Sequence, residues 1–227
     1  MSPVVAVQSK IEEVRTKIEA AAKKSGRTLK DVTLVAVTKG VKLEMILQAK
    51  EAGIGVFAEN RIQEAQEKIP QVSAEWHLVG HLQSNKIKDA LGLFQMIQSV
   101  DSLSLAEKLN AELLSQNRVF PVLLEVNISG EKQKFGFEPE RLYGAVDEIK
   151  KFSQIQVMGL MGIAPHTPDA AARRAAFKKL KGLFSVCKTL KSERFEMKYL
   201  SMGMSDDFRI AIEEGSTMIR LGRALFQ

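Results

Sequence analysis

Val32-Thr33-Leu34-Val35-Ala36-Val37-Thr38 is a short, largely apolar, partly β-branched run, and Lys39-Gly40 follows it. Apolar residues on both parities predict a strand buried on both faces, as in a parallel sheet. Seven further runs of this kind follow: Val56 to Ala58, Trp76 to Val79, Met96 to Val100, Pro121 to Val126, Val157 to Met161, Tyr199 to Met202 and Met218 to Leu221. Amphipathic stretches separate them: Leu43 to Ala52, Arg61 to Lys68, Lys86 to Leu93, Leu103 to Gln116, Pro139 to Phe152, Ala170 to Lys191 and Asp207 to Glu214. Eight strands alternating with helices in 227 residues leave about 28 residues per repeat, the size of a compact closed barrel. A doubly wound open sheet would carry a glycine-rich turn after its first strand, and Thr38-Lys39-Gly40 is not one. Upstream, Ile11, Val14, Ile18 and Ala21 share one face of a further helix. The expectation is α/β: a single (β/α)8 TIM-like barrel spanning residues 1–227, with an extra N-terminal helix.

Composition narrows the function classes. Hydrophobic residues make up 45% and charged residues 26%, the balance of a globular protein that needs no disulfide to hold its core. Cys187 is the one cysteine; it sits in a helical stretch and reads as packing, not as a thiol nucleophile. Residues 1–10 lack the apolar run of a signal peptide, and no stretch is long enough for a membrane span, so a cytoplasmic location is expected. The net charge of +6 raises the question of nucleic acid. However, Lys and Arg alternate with acids, as in Asp147 to Lys151, and aromatics are only 6%, too few for a base-stacking platform. The charge reads as solvated helix faces with a weak pull toward anionic small molecules, with neither nucleic acid nor membrane as partner.

In such barrels chemistry sits at the C-terminal ends of the strands. There the chain places Lys39, Glu59 and Asn60, His81, Asp101, Asn127, Pro165 and His166, then Ser201, Gly203 and Ser205, and finally Arg220, Gly222 and Arg223. A lysine closing a buried strand would have its amine desolvated at the barrel mouth, where a neutral amine forms Schiff bases; taken alone, Lys39 reads rather as a lysine that leaves the strand and points to solvent. Ser201-Met202-Gly203-Met204-Ser205 and Gly222-Arg223 place hydroxyls and backbone N–H groups after strands seven and eight, where barrels bind phosphate. Together they describe a phosphate grip across the mouth from Lys39. Arg220, inside a short apolar strand, needs a partner: either an acid such as Glu59, or a ligand to which it donates. His77 reads as packing within strand three. The three histidines show no metal-ligand spacing.

The chain resembles the pyridoxal phosphate homeostasis proteins. The matching stretches are Ala36 to Lys39, Glu59-Asn60-Arg61-Ile62-Gln63-Glu64, Trp76 to Lys86, Gly159-Leu160-Met161, Leu200 to Phe208, and Gly215 to Gly222, in family order along nearly the whole chain. A departure is Gln227, where the family usually has Gly after the final Phe. The resemblance implies a barrel related to the alanine racemase N-terminal domain, with pyridoxal 5′-phosphate (PLP) as cofactor and Lys39 as the Schiff-base lysine. It implies that Ser201 and the Gly222-Arg223 backbone hold the phosphate, that Arg220 faces the pyridine nitrogen, and that Asn60 and His81 lie near the ring. It implies a cytosolic monomer that passes PLP to apo-enzymes, with no assigned reaction. Two alternatives share the phosphate grip: a PLP-dependent racemase or lyase, and an aldolase using Lys39 on a sugar phosphate.

Overall fold

Strands β1 (Thr33–Val37), β2 (Val56–Glu59), β3 (Glu75–Leu78), β4 (Met96–Val100), β5 (Phe120–Val126), β6 (Ile155–Gly162), β7 (Phe195–Ser201) and β8 (Met218–Leu221) pair in parallel, in sequence order, and β8 closes back on β1. The computed structural model describes residues 3–131, 133–190 and 192–227, with side chains from residue 7. Helices α2 (Leu43–Glu51), α3 (Ile62–Lys68), α4 (Ile87–Leu93), α5 (Leu103–Ser115), α6 (Leu142–Ile149), α7 (Ala170–Cys187) and α8 (Phe208–Glu213) follow the first seven strands, and the four-residue α9 (Arg223–Phe226) follows the eighth. The expected eightfold repeat is the architecture found. No helix among the described residues is long and apolar enough to cross a membrane.

The period of two along each strand sorts residues into two layers. Ala36, Phe57, Trp76, Ile97, Leu124, Leu160, Leu200 and Ile219 face the helices in the large outer core. Val35, Ala58, Met96, Leu123, Met161 and Met218 fill the barrel interior. By the same parity Arg220, two residues after Met218, points inward, as do His77, Gln98 and Ser201. The N-terminal helix α1 (Pro3–Lys24) packs its buried face (Val7, Ile11, Val14, Ile18, Ala21) on α2, α8 and α9, the helices flanking the β8–β1 seam. It seals the junction where the barrel closes.

Some boundaries differ from the sequence expectation. β7 starts at Phe195, four residues before Tyr199, because Phe195 and Met197 alternate with exposed Glu196 and Lys198. That half-solvated pattern does not look like a barrel strand on hydropathy alone. The stretch from Pro139 opens as a 3-10 turn before α6, and α9 was not expected. α7 ends at Cys187; Lys191, its expected end, lies outside the described residues. Cys187 is buried, which raises its thiol to about 11 and makes it inert packing.

Between Val157 and Gly159 the β6–β7 register shifts. Gly159 has φ +151°, and a Cβ there would lie 1.8 Å from the Tyr199 carbonyl oxygen. We expect Gly159→Ala to cost about 2–4 kcal/mol, combining overpacking with backbone strain. Gly182, inside α7 with open space around it, is the control: Gly182→Ala should gain about 0.5–1 kcal/mol. Urea unfolding of the two variants checks the contrast.

Candidate functional site

The end of β1 is held by a charged clamp. Thr38 Oγ donates to Glu59 Oε1 at 2.6 Å, and the Thr38 amide donates to the Ala58 carbonyl at 2.9 Å. Lys68 Nζ donates to the Thr38 carbonyl at 2.8 Å, to Glu59 Oε1 at 2.6 Å and to Glu64 Oε2 at 2.9 Å. Glu64 Oε2 also accepts the Gly40 amide at 2.9 Å. The turn Thr38-Lys39-Gly40 is thereby fixed on both sides of Lys39. Burial opposes the Lys68 charge, but hydrogen bonds to Glu59 and Glu64 raise its pKa above the ordinary value; the Gly40 amide and Lys68 hold Glu64 low. Glu59, expected as a mate for Arg220, serves this clamp instead. Glu64 and Lys68, one turn apart on α3, were not singled out from the sequence, where a charged pair on a helix reads as solvated.

Lys39 itself is exposed at the mouth, not desolvated as expected, because β1 ends at Val37 and the turn carries the next residues outward. It lines a cavity of about 510 Å3 together with Asn60, Ser205, Arg220, Gly222 and Arg223. Lys134, His166 and Arg173 add positive or protonatable groups to the same walls, offset by Asp206 and Asp207. The strand-seven and strand-eight ends thus do lie opposite the lysine, in a strongly cationic hollow. Lys134 and Arg173 were missed by sequence reading because they sit on a loop and on α7, away from the strand ends.

His81 lines a different recess, about 680 Å3, that shares Lys39 and Asn60 with the first. Its Nδ1 is 2.8 Å from Asp101 Oδ2, and its ring stacks on Phe135 at 3.8 Å. Gly203 is buried away from the cavity. Its φ of +98° and the 2.6 Å that a Cβ would leave to Ala211 Cβ require glycine, and its carbonyl accepts the Arg220 amide at 3.0 Å. It shapes the loop and does not line the hollow.

Ser201, expected at the phosphate, is fully buried and does not line the cavity. Arg220 Nη1 donates to its Oγ at 2.6 Å, and Arg220 Nη2 donates to the Gly162 carbonyl at 3.1 Å. The inward parity of β7 takes Ser201 behind Arg220; Ser205, four residues on, reaches the hollow. Burial lowers the Arg220 guanidinium to about 10, opposed by Glu125 and Asp207, so it stays charged at neutral pH. Glu125, inward on β5 and also unread in the sequence, is pushed up to about 7 by burial; Arg220 pulls it down and Asp101 adds to the rise.

An amine, a cationic hollow, the Gly222-Arg223 backbone and the Ser205 hydroxyl fit a phosphorylated aldehyde in both size and charge. The chain matches the alanine racemase N-terminal domain family over residues 10–227. It is 37% identical to the pyridoxal phosphate homeostasis protein of Vibrio cholerae, covering 97% of this chain and 95% of that one. A solved protein of unknown function from Bifidobacterium adolescentis superposes with TM-score 0.93 at 33% identity, covering 99% of this chain and 96% of the other. PipY of Synechococcus elongatus, solved with PLP bound, superposes with TM-score 0.84 at 32% identity, covering 97% and 100%. This chain belongs to the family of the pyridoxal phosphate homeostasis proteins, built on the alanine racemase N-terminal barrel.

Proposed function

We propose that the protein binds PLP as a Schiff base on Lys39 and serves intracellular PLP homeostasis, holding and releasing the cofactor without turning over amino acids. The observation that carries this reading is the single cavity shared by Lys39 and the Ser205, Gly222 and Arg223 group. The relatives named for PLP homeostasis and the PLP-bound PipY support it. Apo-enzymes as recipients, a monomeric carrier and a cytoplasmic setting belong to the same proposal.

The residues divide the work by chemistry. PLP supplies an aldehyde for the Lys39 amine, a ring nitrogen and a phosphate. Ser205 Oγ accepts the Ala224 amide at 3.2 Å, which leaves its own hydrogen for a phosphate oxygen. Arg223, 2.5 Å from Asp206 at the rim, adds charge beside the Gly222 backbone. Asn60, at the β2 end, lines the same cavity and would border the ring there. His81, in the adjoining recess, reaches at most the ring's edge.

Two features argue against turnover. A ring nitrogen facing Arg220 meets a permanent cation that only donates, so it stays unprotonated and the cofactor is a weak electron sink. The two tyrosines of the chain are also badly placed to act as a second base. Tyr143 lies on α6 at the outer surface, and Tyr199 packs inside the barrel with Lys198 Nζ 5.0 Å from its ring centroid.

Borohydride treatment of the PLP-loaded protein should fix the cofactor on the peptide carrying Lys39, and Lys39→Ala should abolish the Schiff-base absorption. Labelling at another lysine, with the native spectrum kept in Lys39→Ala, rejects the attachment site. Ser205→Ala should weaken PLP about tenfold or more, the loss of one charge-assisted hydrogen bond. Unphosphorylated pyridoxal should be unaffected, which fluorescence titration of both ligands reads directly. Incubation with L- and D-amino acids should yield no racemised or cleaved product; sustained turnover near about 10 per second, lost in Lys39→Ala, would make the protein an enzyme.

A further inference from the structure

The barrel interior holds a line of polar side chains that the cofactor cavity does not use. Ser201 Oγ lies 2.6 Å from Gln98 Oε1. Gln98 Nε2 lies 2.8 Å from His77 Nδ1, and His77 Nε2 lies 2.8 Å from Glu75 Oε1. Arg220, Ser201, Gln98 and His77 are all buried, whereas the Glu75 side chain is 51% exposed. Glu75 opens β3, so it stands at the barrel end opposite Lys39. Around this line the fully buried apolar side chains are aliphatic or thioether: Val35, Ala58, Met96, Leu123, Met161 and Met218.

The hydrogens can be placed by elimination. Arg220 has only donors, so Ser201 Oγ accepts from it, and the Ser201 hydrogen goes to the Gln98 carbonyl oxygen. The Gln98 NH2 then donates to His77 Nδ1, with its other hydrogen toward Met218 Sδ at 3.2 Å. His77 is left with its proton on Nε2, donated to the Glu75 carboxylate. Turning the Gln98 amide over would strand the Ser201 hydrogen without an acceptor, a buried loss of about 1–3 kcal/mol. All four hydrogen bonds therefore run the same way, from a buried cation to a solvent-facing anion.

We propose that Gln98 and His77, anchored by Glu75, are positioning residues that hold Ser201 and, through it, the Arg220 guanidinium in the orientation that presents an N–H to the cofactor's ring nitrogen. The inference rests on the PLP reading above. Packing alone does not call for polar side chains at 77 and 98: apolar ones of similar volume would fill the interior, but they would leave the buried Ser201 hydrogen without its acceptor. What apolar side chains there cannot do is fix the Ser201 hydroxyl: without the Gln98 acceptor its hydrogen is free to rotate, and its lone pair is no longer held toward Arg220 Nη1. Nη2 is already tied to the Gly162 carbonyl, so the Ser201 contact decides which edge of the fork faces the hollow. The other charged groups acting on the two ends are Glu125 and Asp207 at Arg220, and Lys198 at Glu75.

The test compares PLP with its 1-deaza analogue, in which carbon replaces the ring nitrogen. Both are titrated into wild type, Gln98→Leu and Glu75→Ala. Wild type should prefer PLP, and Gln98→Leu should shrink that preference about tenfold, the worth of one aligned hydrogen bond from a charged donor. Glu75→Ala, at a half-exposed position that folding tolerates, should shift it the same way by a smaller factor. Equal losses for the two ligands would mean a merely structural role, and an unchanged preference in both variants would equally overturn the proposal. A second arm needs no cofactor: nitrogen-15 NMR of His77 in the unloaded protein should show the Nε2-protonated tautomer. An Nδ1-protonated ring would overturn the chain. If wild type binds neither ligand, the PLP reading fails and the positioning role with it, while the NMR arm still reads the chain itself.

Discussion

Burying a guanidinium inside an aliphatic barrel is the constraint around which the polar part of this molecule is arranged. Taking such an ion out of water costs several kcal/mol even after relaxation, and Arg220 is 4% exposed. Its charge therefore has to be met by acceptors, and the inward positions of the neighbouring strands supply them: Ser201 from β7 and the Gly162 carbonyl at the end of β6. Ser201 in turn needs an acceptor, which makes Gln98 polar, and Gln98 needs one, which makes His77 polar. The sequence of substitutions toward polarity stops only where Glu75 reaches water. One buried cation at the mouth thus accounts for inward polar residues on three other strands, β7, β4 and β3.

A second arrangement fixes the turn that carries Lys39, the proposed Schiff-base lysine, without burying that side chain. Lys39 is exposed, so nothing in its own packing sets its position. The residues on either side of it are what the protein immobilises, through Lys68, Glu59 and Glu64. Here Glu59 is fully buried, and leaving it without Lys68 would strand a carboxylate in the core. The ion cluster is thus obligatory once Glu59 is present, and its product is a rigid platform from which a flexible side chain reaches the hollow. Rigid support under a mobile amine suits capture of a ligand that must also leave.

The repeat of strand and helix was legible because parallel barrel strands are apolar on both faces, a signal independent of any partner. β7 was the exception: Glu196 and Lys198 reach solvent, which broke the run and hid its first half. Site residues split along the same line. Lys39, Asn60, Ser205, Gly222 and Arg223 sit where a strand end meets the mouth, a place sequence order predicts, and all five line the cavity. Ser201 did not follow the expectation because parity, not proximity to the loop, decides direction: two residues after inward Tyr199, it must point into the core. The same parity count applied to Met218 and Arg220 would have indicated the buried charge. Gln98, His77 and Glu75 were out of reach for a different reason. Their meaning depends on a partner across the barrel, 103 residues away between Gln98 and Ser201, and no local pattern records it.

The hollow's charge distribution separates how tightly a ligand is held from what is done with it. Cations come from five different places around the rim: Lys39 after β1, Lys134 on the loop after β5, Arg173 on α7, Arg220 in β8 and Arg223 at the start of α9. They favour a phosphate wherever it enters and raise the local concentration of anionic ligands. Carbanion chemistry is strengthened by a protonated ring nitrogen, for which a carboxylate is the usual partner. The carboxyl groups nearby are committed elsewhere: Glu125 does not line the hollow, and Asp207 Oδ1 accepts the Met204 amide at 2.6 Å. A site rich in donors for the phosphate and without a free carboxylate for the ring fits the proposed retention of an aldehyde cofactor on an amine, and the exposure of Lys39 would leave such a bond open to exchange by water or another amine.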